Sequence, residues 1–182
     1  MGKRRKRKAG SFIRSMFEVG VFILAVLLLT LIMSKYIVNR VTVRNHSMEQ
    51  TLLENDSVLI DKISYRFRDP QRFDIIVFDQ KGTGEDLIKR IIGLPGETVQ
   101  IEDGKILIDG EELKDIKNLD PPENAGLASS PINLSVGEYF VLGDNRQESI
   151  DSRYEQVGIV TSTRITGKMF MRILPLKRIR FF

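Results

Sequence analysis

The chain of 182 residues contains no cysteine and only one histidine, His46. The absence of cysteine excludes disulfide bonds, thiolate metal sites and a cysteine nucleophile. With a single histidine, a zinc site is not expected and only one imidazole is available as a general base. If the folded domain is a hydrolase, a serine activated by a neutral lysine is therefore the most economical chemistry open to it.

Acidic residues are absent from the first 14 positions, which hold seven of the 28 lysines and arginines. The remainder therefore carries 21 basic against 24 acidic side chains, so the high pI of about 9.4 belongs to a tail and the body is nearly neutral. A nucleic-acid-binding protein would spread its basic groups over a folded face with interleaved aromatics, whereas these precede an apolar run. We therefore expect no nucleic-acid partner.

A run of sixteen residues without a charge, Val19 to Ser34, follows the basic tail. As a helix it would be about 24 Å long, shorter than a hydrocarbon core of about 30 Å, so flanking apolar residues must extend it. We predict a basic cytoplasmic tail at 1–14 and a single transmembrane anchor at 15–38. A cleavable signal peptide has the same basic-then-apolar form, but no small-x-small cleavage site follows this run.

The basic tail also predicts the orientation of the chain. Basic residues beside a membrane span stay in the cytoplasm, so the domain at 39–182 is expected outside the cytoplasmic membrane. Membrane lipids are then an expected partner. The final segment, 174–182, mixes cations with aromatics and either rests on anionic headgroups or is an ordinary last strand with a frayed tail.

Helix signals are scarce beyond the anchor, apart from one short turn near 64–67. Short runs rich in Val, Ile and Phe instead alternate with turn signals, which predicts a mainly β domain with an antiparallel, barrel-like sheet on the helical anchor. The stretch 119–131, with three prolines, is expected to be an exposed loop. The predicted strands are 38–44, 58–63, 74–78, 87–92, 98–101, 105–108, 138–142, 158–160 and 163–173.

Four motifs carry the candidate chemistry. They are Ser47-Met48-Glu49-Gln50-Thr51 and the segments NDSVLIDK at 55–62, KRIIGLPGE at 89–97 and GDNRQESIDSR at 143–153. Their order, spacing and content resemble the bacterial type I signal peptidases, membrane-bound serine proteases that remove signal peptides from exported proteins. The resemblance runs from the anchor to about Pro175.

The resemblance implies that Ser47 is the nucleophile and Lys89 the general base. Nothing in the sequence requires a cofactor, and no metal ion is expected. The residues themselves support this reading. A lysine with an ordinary pKa near 10.4 is neutral only about once in 2,500 at pH 7, so burial must lower its pKa. In a strand over 87–92, Lys89 shares a face with Leu87 and Ile91, an apolar row suited to that change.

Two neighbours of this pair are not expected to act as the base. Arg90 points to the opposite face of the strand, and a guanidinium does not deprotonate in proteins. His46 directly precedes Ser47, and adjacent residues of an extended chain face opposite ways. It is therefore expected to be a surface neighbour.

Other residues are expected to support the pair. By the same resemblance, Ser149 aligns with the hydroxyl that orients the lysine. The backbone N–H of Ser47 can form an oxyanion hole, and we hypothesise that the Asn45 amide supplies the second donor. Ion pairs are expected to hold the fourth motif against the site, rather than calcium, whose loop spacing does not fit. The residues of these ion pairs are Asp144, Arg146, Asp151 and Arg153.

Three positions depart from the family pattern. Asn45 stands where glycine or serine is common, and Asn55 where glycine is usual. Gln50 replaces a proline that would fix the turn after the nucleophile, which restores an N–H and some backbone freedom. Asn55 is a turn residue that tolerates backbone angles similar to those of glycine.

The resemblance also implies the substrate, a preprotein carrying a signal peptide, bound in extended form along an edge strand with small side chains in shallow apolar pockets. Candidate wall residues, which would also suit the core, are Met48, Leu52, Ile60, Ile91 and Ile92. Two alternatives remain. One is a different serine-lysine peptidase of related fold, such as a self-cleaving repressor, against which a retained anchor argues. The other is a catalytically impaired relative that acts as a membrane-anchored binding module for exported proteins.

Overall fold

The computed structural model of the protein describes residues 2–36, 38–80, 83–114 and 119–182, without the side chains of residues 2–13 and 32–36. Two compact units make up the chain, Met1–Val38 and Asn39–Phe182. The first is the helix α1 (Gly2–Tyr36), which begins within the predicted basic tail. The basic side chains of that tail before Arg14 lie outside the described residues.

Part of α1 is apolar enough to cross a membrane. The window Arg14–Leu31 has a mean hydropathy of 2.0, and none of it is buried within the protein. An α-helix satisfies all its backbone hydrogen bonds internally, which is what a segment in lipid requires. The helix therefore has the length and composition that the predicted anchor needs.

Two sheets form the second unit in the described part of the chain. The larger has the order β1-β2-β11-β3-β4-β9-β10, with β12 paired to β11, and the smaller has the order β7-β6-β5-β8. The pairs whose register is resolved are antiparallel. The strands are β1 (Val38–Thr42), β2 (Ser57–Asp61), β3 (Ile75–Asp79), β4 (Asp86–Gly93), β5 (Thr98–Glu102), β6 (Lys105–Ile108), β7 (Glu111–Glu112), β8 (Ile132–Asn133), β9 (Glu138–Leu142), β10 (Val160–Thr161), β11 (Ile165–Leu174) and β12 (Arg180–Phe181).

The predicted fold class, a mainly antiparallel β domain preceded by one apolar helix, is confirmed. Each predicted strand overlaps an observed one, and the short turn near 64–67 is a 3₁₀ helix, Ser64–Arg66. Three strands were not predicted, β7, β8 and β12. Each has only two residues, too few to show an alternating pattern. The other 3₁₀ helices among the described residues are Gly126–Ser129, Ser162–Arg164 and Leu176–Arg178.

Two details differ from these expectations. The stretch 119–131 is mostly exposed, as predicted, but Ala128 is buried in the core and the Leu127 N–H donates to the Arg153 carbonyl at 2.9 Å. The C-terminal tail is not frayed. After the 3₁₀ helix Leu176–Arg178, it returns as β12 and pairs with β11.

The central strand β3 is buried on both faces, which explains its uninterrupted apolar sequence. Ile75 and Val77 belong to one hydrophobic cluster, whereas Ile76 and Phe78 belong to another on the opposite face. Strand β4 pairs with β3 along its first five residues, so its side chains alternate between the same two layers. This alternation decides the surroundings of Lys89.

Candidate active site

Ser47 lies in the loop between β1 and β2, and two apolar side chains hold this loop against the core. Met48 and Leu52 are fully buried, and the Leu52 N–H donates to the Met48 carbonyl at 2.7 Å. The loop closes where the Val43 N–H donates to the Asp56 carbonyl at 2.9 Å. Ser47 itself is 7% exposed, so its hydroxyl sits at the edge of the interior rather than in open solvent.

Two left-handed residues shape this loop. Asn55 has φ 66°, in agreement with the prediction that it tolerates a glycine-like backbone. Gln50 has φ 82° and is the third residue of a turn in which the Thr51 N–H donates to the Met48 carbonyl at 3.0 Å. Proline is locked near a φ of about −65°, so this turn could not accept one at position 50 without a change of backbone. Gln50 also donates to Asp120 at 2.8 Å.

Lys89 meets Ser47 from strand β4. Its Nζ lies 2.6 Å from Ser47 Oγ, and this is the one hydrogen bond of the amine with described residues. Lys89 lies opposite Ile76 on β3, on the face that carries Ile91 and Leu87, as its strand position predicted. Only 1% of the lysine is exposed.

Burial lowers the pKa of Lys89 from its ordinary 10.5 to about 8. Removal from water disfavours the charged amine, and this is the largest effect. Among nearby charges, Asp151 and Asp144 raise the pKa and Arg153 lowers it. A charged amine with one acceptor is also poorly solvated, because an ammonium group has three N–H bonds to satisfy. The site thus makes the neutral amine accessible near neutral pH.

Asn45 contacts Ser47 through its side-chain oxygen. Its predicted role as second donor to the oxyanion concerns the NH₂ group of the amide and stays a prediction. Asn45 Oδ1 accepts from the Ser47 hydroxyl at 2.7 Å and from the Ser47 backbone N–H at 3.3 Å. A backbone N–H can only donate, so the amide atom that faces it must be the oxygen. In this structure the Asn45 side chain is therefore an acceptor toward Ser47, and it occupies the N–H that the oxyanion hole was expected to use.

Ser149 is buried beside the pair, but its hydroxyl makes no hydrogen bond with a described residue. Its role in orienting the lysine therefore stays a prediction. The lack of a side chain at Gly143 allows Ser149 to lie close to the backbone of Ser47. A Cβ built on Gly143 would lie 2.2 Å from Ser149 Oγ and 2.4 Å from the Ser47 carbonyl oxygen. Only a residue without a side chain fits between these two serines.

The ion pairs of the fourth motif differ in part from those expected. Asp151 binds Arg153 through both carboxylate oxygens, at 2.8 and 2.9 Å. Asp144 instead binds Arg90, with Nε to Oδ1 at 2.7 Å and Nη2 to Oδ2 at 2.5 Å. Arg146 donates from Nε to the Gly143 carbonyl at 3.1 Å. Arg90 thus joins the third motif to the fourth, a contact between distant segments that no local pattern signals.

Asn145 is a site residue that the sequence reasoning missed. Its backbone N–H donates to the Ser47 carbonyl at 3.1 Å, and its side chain donates to the His46 carbonyl at 3.2 Å. It therefore holds the backbone on both sides of the candidate nucleophile. The only signal available was its place in the motif between two predicted ion-pairing residues, Asp144 and Arg146.

His46 itself is exposed, as predicted. Its two ring nitrogens lie 3.6 Å from Glu49 and 3.9 Å from Glu54. No hydrogen bond joins the imidazole to Ser47 among the described residues. The contacts leave Lys89 as the basic group in contact with Ser47.

The predicted wall residues do not line the open cleft, because all five pack into the core. Each is 0% exposed: Met48, Leu52, Ile60, Ile91 and Ile92. A cavity of about 420 Å³ opens instead over the Ser47–Lys89 pair, with apolar walls from Leu87, Ile150 and Val157. A second groove of about 520 Å³ adjoins it at Asn45 and runs between residues 39–45 and 84–88.

Comparison with known proteins gives the family of the chain. Residues 16–174 match the family described as signal peptidase, peptidase S26. A probable signal peptidase I-2 of Synechocystis sp. is 33% identical over 180 residues, covering 96% of this chain and 80% of that protein. The signal peptidase I P of Bacillus subtilis subsp. natto is 31% identical, covering 91% of this chain and 92% of that protein.

A solved structure also matches in part. The signal peptidase I of Enterococcus faecalis V583 is 38% identical with a TM-score of 0.44, and the match covers 56% of this chain and 97% of that one. The family match spans most of the 182 residues and includes all four motifs. The chain belongs to the signal peptidase family, peptidase S26.

Proposed function

We propose that this peptidase is a membrane-bound serine endopeptidase that removes N-terminal signal peptides from exported preproteins, with Ser47 as nucleophile and Lys89 as general base. One observation carries the proposal. A buried lysine whose pKa is lowered to about 8 lies 2.6 Å from a serine hydroxyl at the floor of an open cleft. A nucleophile and a base within hydrogen-bond reach are what covalent catalysis by serine requires.

The reaction divides into two steps at this pair. Neutral Lys89 takes the proton from Ser47 Oγ as the oxygen attacks the scissile carbonyl carbon, and the resulting ammonium returns the proton to the leaving amine when the C–N bond breaks. Water then attacks the serine ester, again losing its proton to Lys89. The second step releases the signal peptide as a carboxylic acid and restores the serine hydroxyl.

The backbone N–H of Ser47 is the donor we propose for the developing oxyanion. It lies at the attacking residue itself, where such donors act on the tetrahedral intermediate. Asn45 Oδ1 holds this N–H in the free protein, so the asparagine must move before the donor can serve. Ser149 is proposed to orient Lys89 during the reaction, since it lies against Gly143 beside the pair.

The preprotein is proposed to bind in extended form along the two adjoining grooves. β1 is an edge strand of its sheet, and β4 pairs with β9 only from Arg90 onward, so residues 86–88 have one free edge among the described strands. Free backbone donors and acceptors on both sides suit an added strand. Leu87 and Ile150 form an apolar wall next to Ser47, fitted to small side chains before the cleaved bond.

The N-terminal helix supports a proposed location. The window Arg14–Leu31 is proposed to cross the cytoplasmic membrane once, with residues 1–14 in the cytoplasm because of their lysines and arginines. The domain from residue 39 onward would then act outside that membrane, where exported preproteins emerge. The exposed apolar residues Leu176, Ile179 and Phe181, interleaved with three cations, are proposed to rest on anionic headgroups.

A cleavage assay tests the proposal. Full-length protein in detergent, incubated with a preprotein, should release a mature protein cut after a small-x-small sequence. Ser47→Ala and Lys89→Arg should each abolish the product, the second because arginine keeps the charge but does not act as a base. Binding of preprotein without cleavage by the unaltered protein would favour the binding module instead. Cleavage by Lys89→Arg would reject the lysine as base.

A further inference from the structure

The Ser47 hydroxyl has one proton, and two neighbours compete for it. In the structure the hydroxyl donates to Asn45 Oδ1 at 2.7 Å while Lys89 donates to the same hydroxyl at 2.6 Å. The three groups form a chain of hydrogen bonds that runs from the amine through the serine to the asparagine. For Lys89 to act as a base, the serine proton must turn away from Asn45 and toward the amine.

We propose that Asn45 is a positioning residue that holds the free enzyme in a resting state by accepting both the hydroxyl proton and the backbone N–H of Ser47. The inference rests on the proposed Ser47–Lys89 pair. It assigns to Asn45 a restraint on the nucleophile, which substrate must release, rather than a donor in the oxyanion hole.

The direction of the hydrogen bonds links Asn45 to the ionisation of Lys89. A charged amine donates strongly to the serine oxygen, and the hydroxyl becomes a better donor to Asn45 as a result. When the amine is neutral and accepts the serine proton, the bond to Asn45 is lost. Asn45 therefore stabilises the inactive, protonated form of Lys89 relative to the active one.

Asn45 is also placed where substrate can move it. Asn45 is exposed, and it lines both of the grooves that adjoin over the site. An extended peptide in these grooves would pass over Asn45 and could displace its side chain. Because the residue is not in the core, substitution leaves no internal cavity. Variants at position 45 are therefore expected to fold.

Other charged groups also act on Lys89. Asp144, Asp151 and Arg153 influence the amine through space. Three further titratable groups line the same cleft: His46, Glu85 and Glu148. All of them are retained in variants at position 45. Their effects therefore cancel when a variant is compared with the unaltered protein at the same pH.

The test compares Asn45→Ala with Asn45→Asp in the full-length protein in detergent micelles. The pH profile of kcat/KM is measured on a synthetic peptide with a small-x-small site. Loss of one acceptor should move the acidic limb of the Ala variant down by about half to one pH unit. Aspartate keeps the acceptor and adds a negative charge, so its limb should move up. The proposal is overturned if the midpoint of the acidic limb is unchanged in Asn45→Ala. It is also overturned if the midpoint moves in the same direction in both variants.

A second measurement reads the lysine without turnover. The carbon-13 shift of the Lys89 ε-carbon, identified by its loss in Lys89→Met, should titrate at lower pH in Asn45→Ala than in the unaltered protein. Loosening of the loop alone would reduce the rate at every pH and leave this midpoint in place. The two proposals also fail separately. If the unaltered protein does not cleave, or Ser47→Ala still does, the proposed function is wrong. If only the midpoints are unmoved, the role of Asn45 is wrong.

Discussion

Lys89 and Ile76 lie opposite each other on neighbouring strands β4 and β3, so the amine that contacts Ser47 emerges from an apolar layer. This position lowers the pKa of Lys89 to about 8, mainly by removal from water. It also gives the site its chemical character. A lysine exposed to solvent would stay charged at neutral pH, and Ser47 would then have no base.

The first prediction concerns the pH dependence of cleavage. The active form is the neutral amine, so kcat/KM should rise by about tenfold per pH unit on the acidic side and level off above the pKa of about 8. The profile of kcat/KM reports the free enzyme, which is the state described by the structure. A limb with its midpoint near the ordinary lysine value of 10.5 would contradict the burial argument.

The second prediction concerns stability. The pKa of Lys89 is lower in the folded chain than in the unfolded chain, so the unfolded chain binds more protons between about pH 8 and 10.5. Stability therefore rises with pH through that window, and below it the full unfavourable effect of the buried charge is present. Lys89→Met should raise the free energy of unfolding at pH 7 by up to about 3 kcal/mol while abolishing cleavage.

Denaturant unfolding followed by circular dichroism measures this effect in the full-length protein. The gain from Lys89→Met should shrink as the pH approaches 10.5, because the lysine is then neutral in the folded chain and half deprotonated in the unfolded chain. An equal gain at pH 7 and pH 10.5 would indicate better packing of methionine rather than removal of a charge.

The third prediction concerns Gly143. An added methyl group would lie 2.2 Å from Ser149 Oγ and 2.4 Å from the Ser47 carbonyl oxygen, so Gly143→Ala must push the fourth motif away from the nucleophile loop. A shift of about 1 Å at a catalytic pair can lower the rate about 100-fold. The cleavage rate is the measurement. Gly20→Ala is the matched control, since its added methyl would meet nothing within 4 Å apart from its chain neighbours and the backbone of its own helix. Normal activity of Gly143→Ala would refute the packing argument.

Much of this arrangement could be predicted from the sequence, because strand alternation is a local property. The pattern of 87–92 placed Lys89 on its apolar face, and four motifs located both members of the pair. The prediction that Met48, Leu52, Ile60, Ile91 and Ile92 line the substrate pocket was wrong for a physical reason. Met48 directly follows the nucleophile and Leu52 comes five positions after it, but both are apolar anchors that bind its loop to the core.

Contacts between distant segments could not be predicted from sequence patterns. The partner of Asp144 is Arg90, 54 positions away, rather than a residue of its own motif. The orientation of the Asn45 amide likewise depends on its hydrogen bonds with Ser47, and composition carries no information about it. The partner of a side chain at the site, and the atom that it presents to that partner, thus depend on tertiary contacts even where the residue types are recognisable.

The fourth prediction concerns the buried pair of Arg90 and Asp144. Arg90→Met would leave a buried carboxylate without its bidentate partner, which typically destabilises a protein by about 3 to 5 kcal/mol. The double variant Arg90→Met with Asp144→Leu removes both charges and should recover most of that stability. Thermal unfolding of the three proteins measures the difference. If the double variant is no more stable than the single one, the loss comes from the other contacts of Arg90, with Thr51 and the Phe73 carbonyl.

The last prediction concerns the C-terminal segment and lipid. The sequence contains no tryptophan, so Phe181→Trp, at a position 69% exposed, introduces a single fluorescent reporter. In vesicles containing anionic lipid, brominated acyl chains should quench this tryptophan, because the side chain would sit at the headgroup boundary beside Arg180 and Lys177. Val136→Trp, at a position 97% exposed in the turn between β8 and β9, is the control and should be quenched less. Equal quenching at both positions, or none at Phe181→Trp, would show that this segment does not rest on the bilayer.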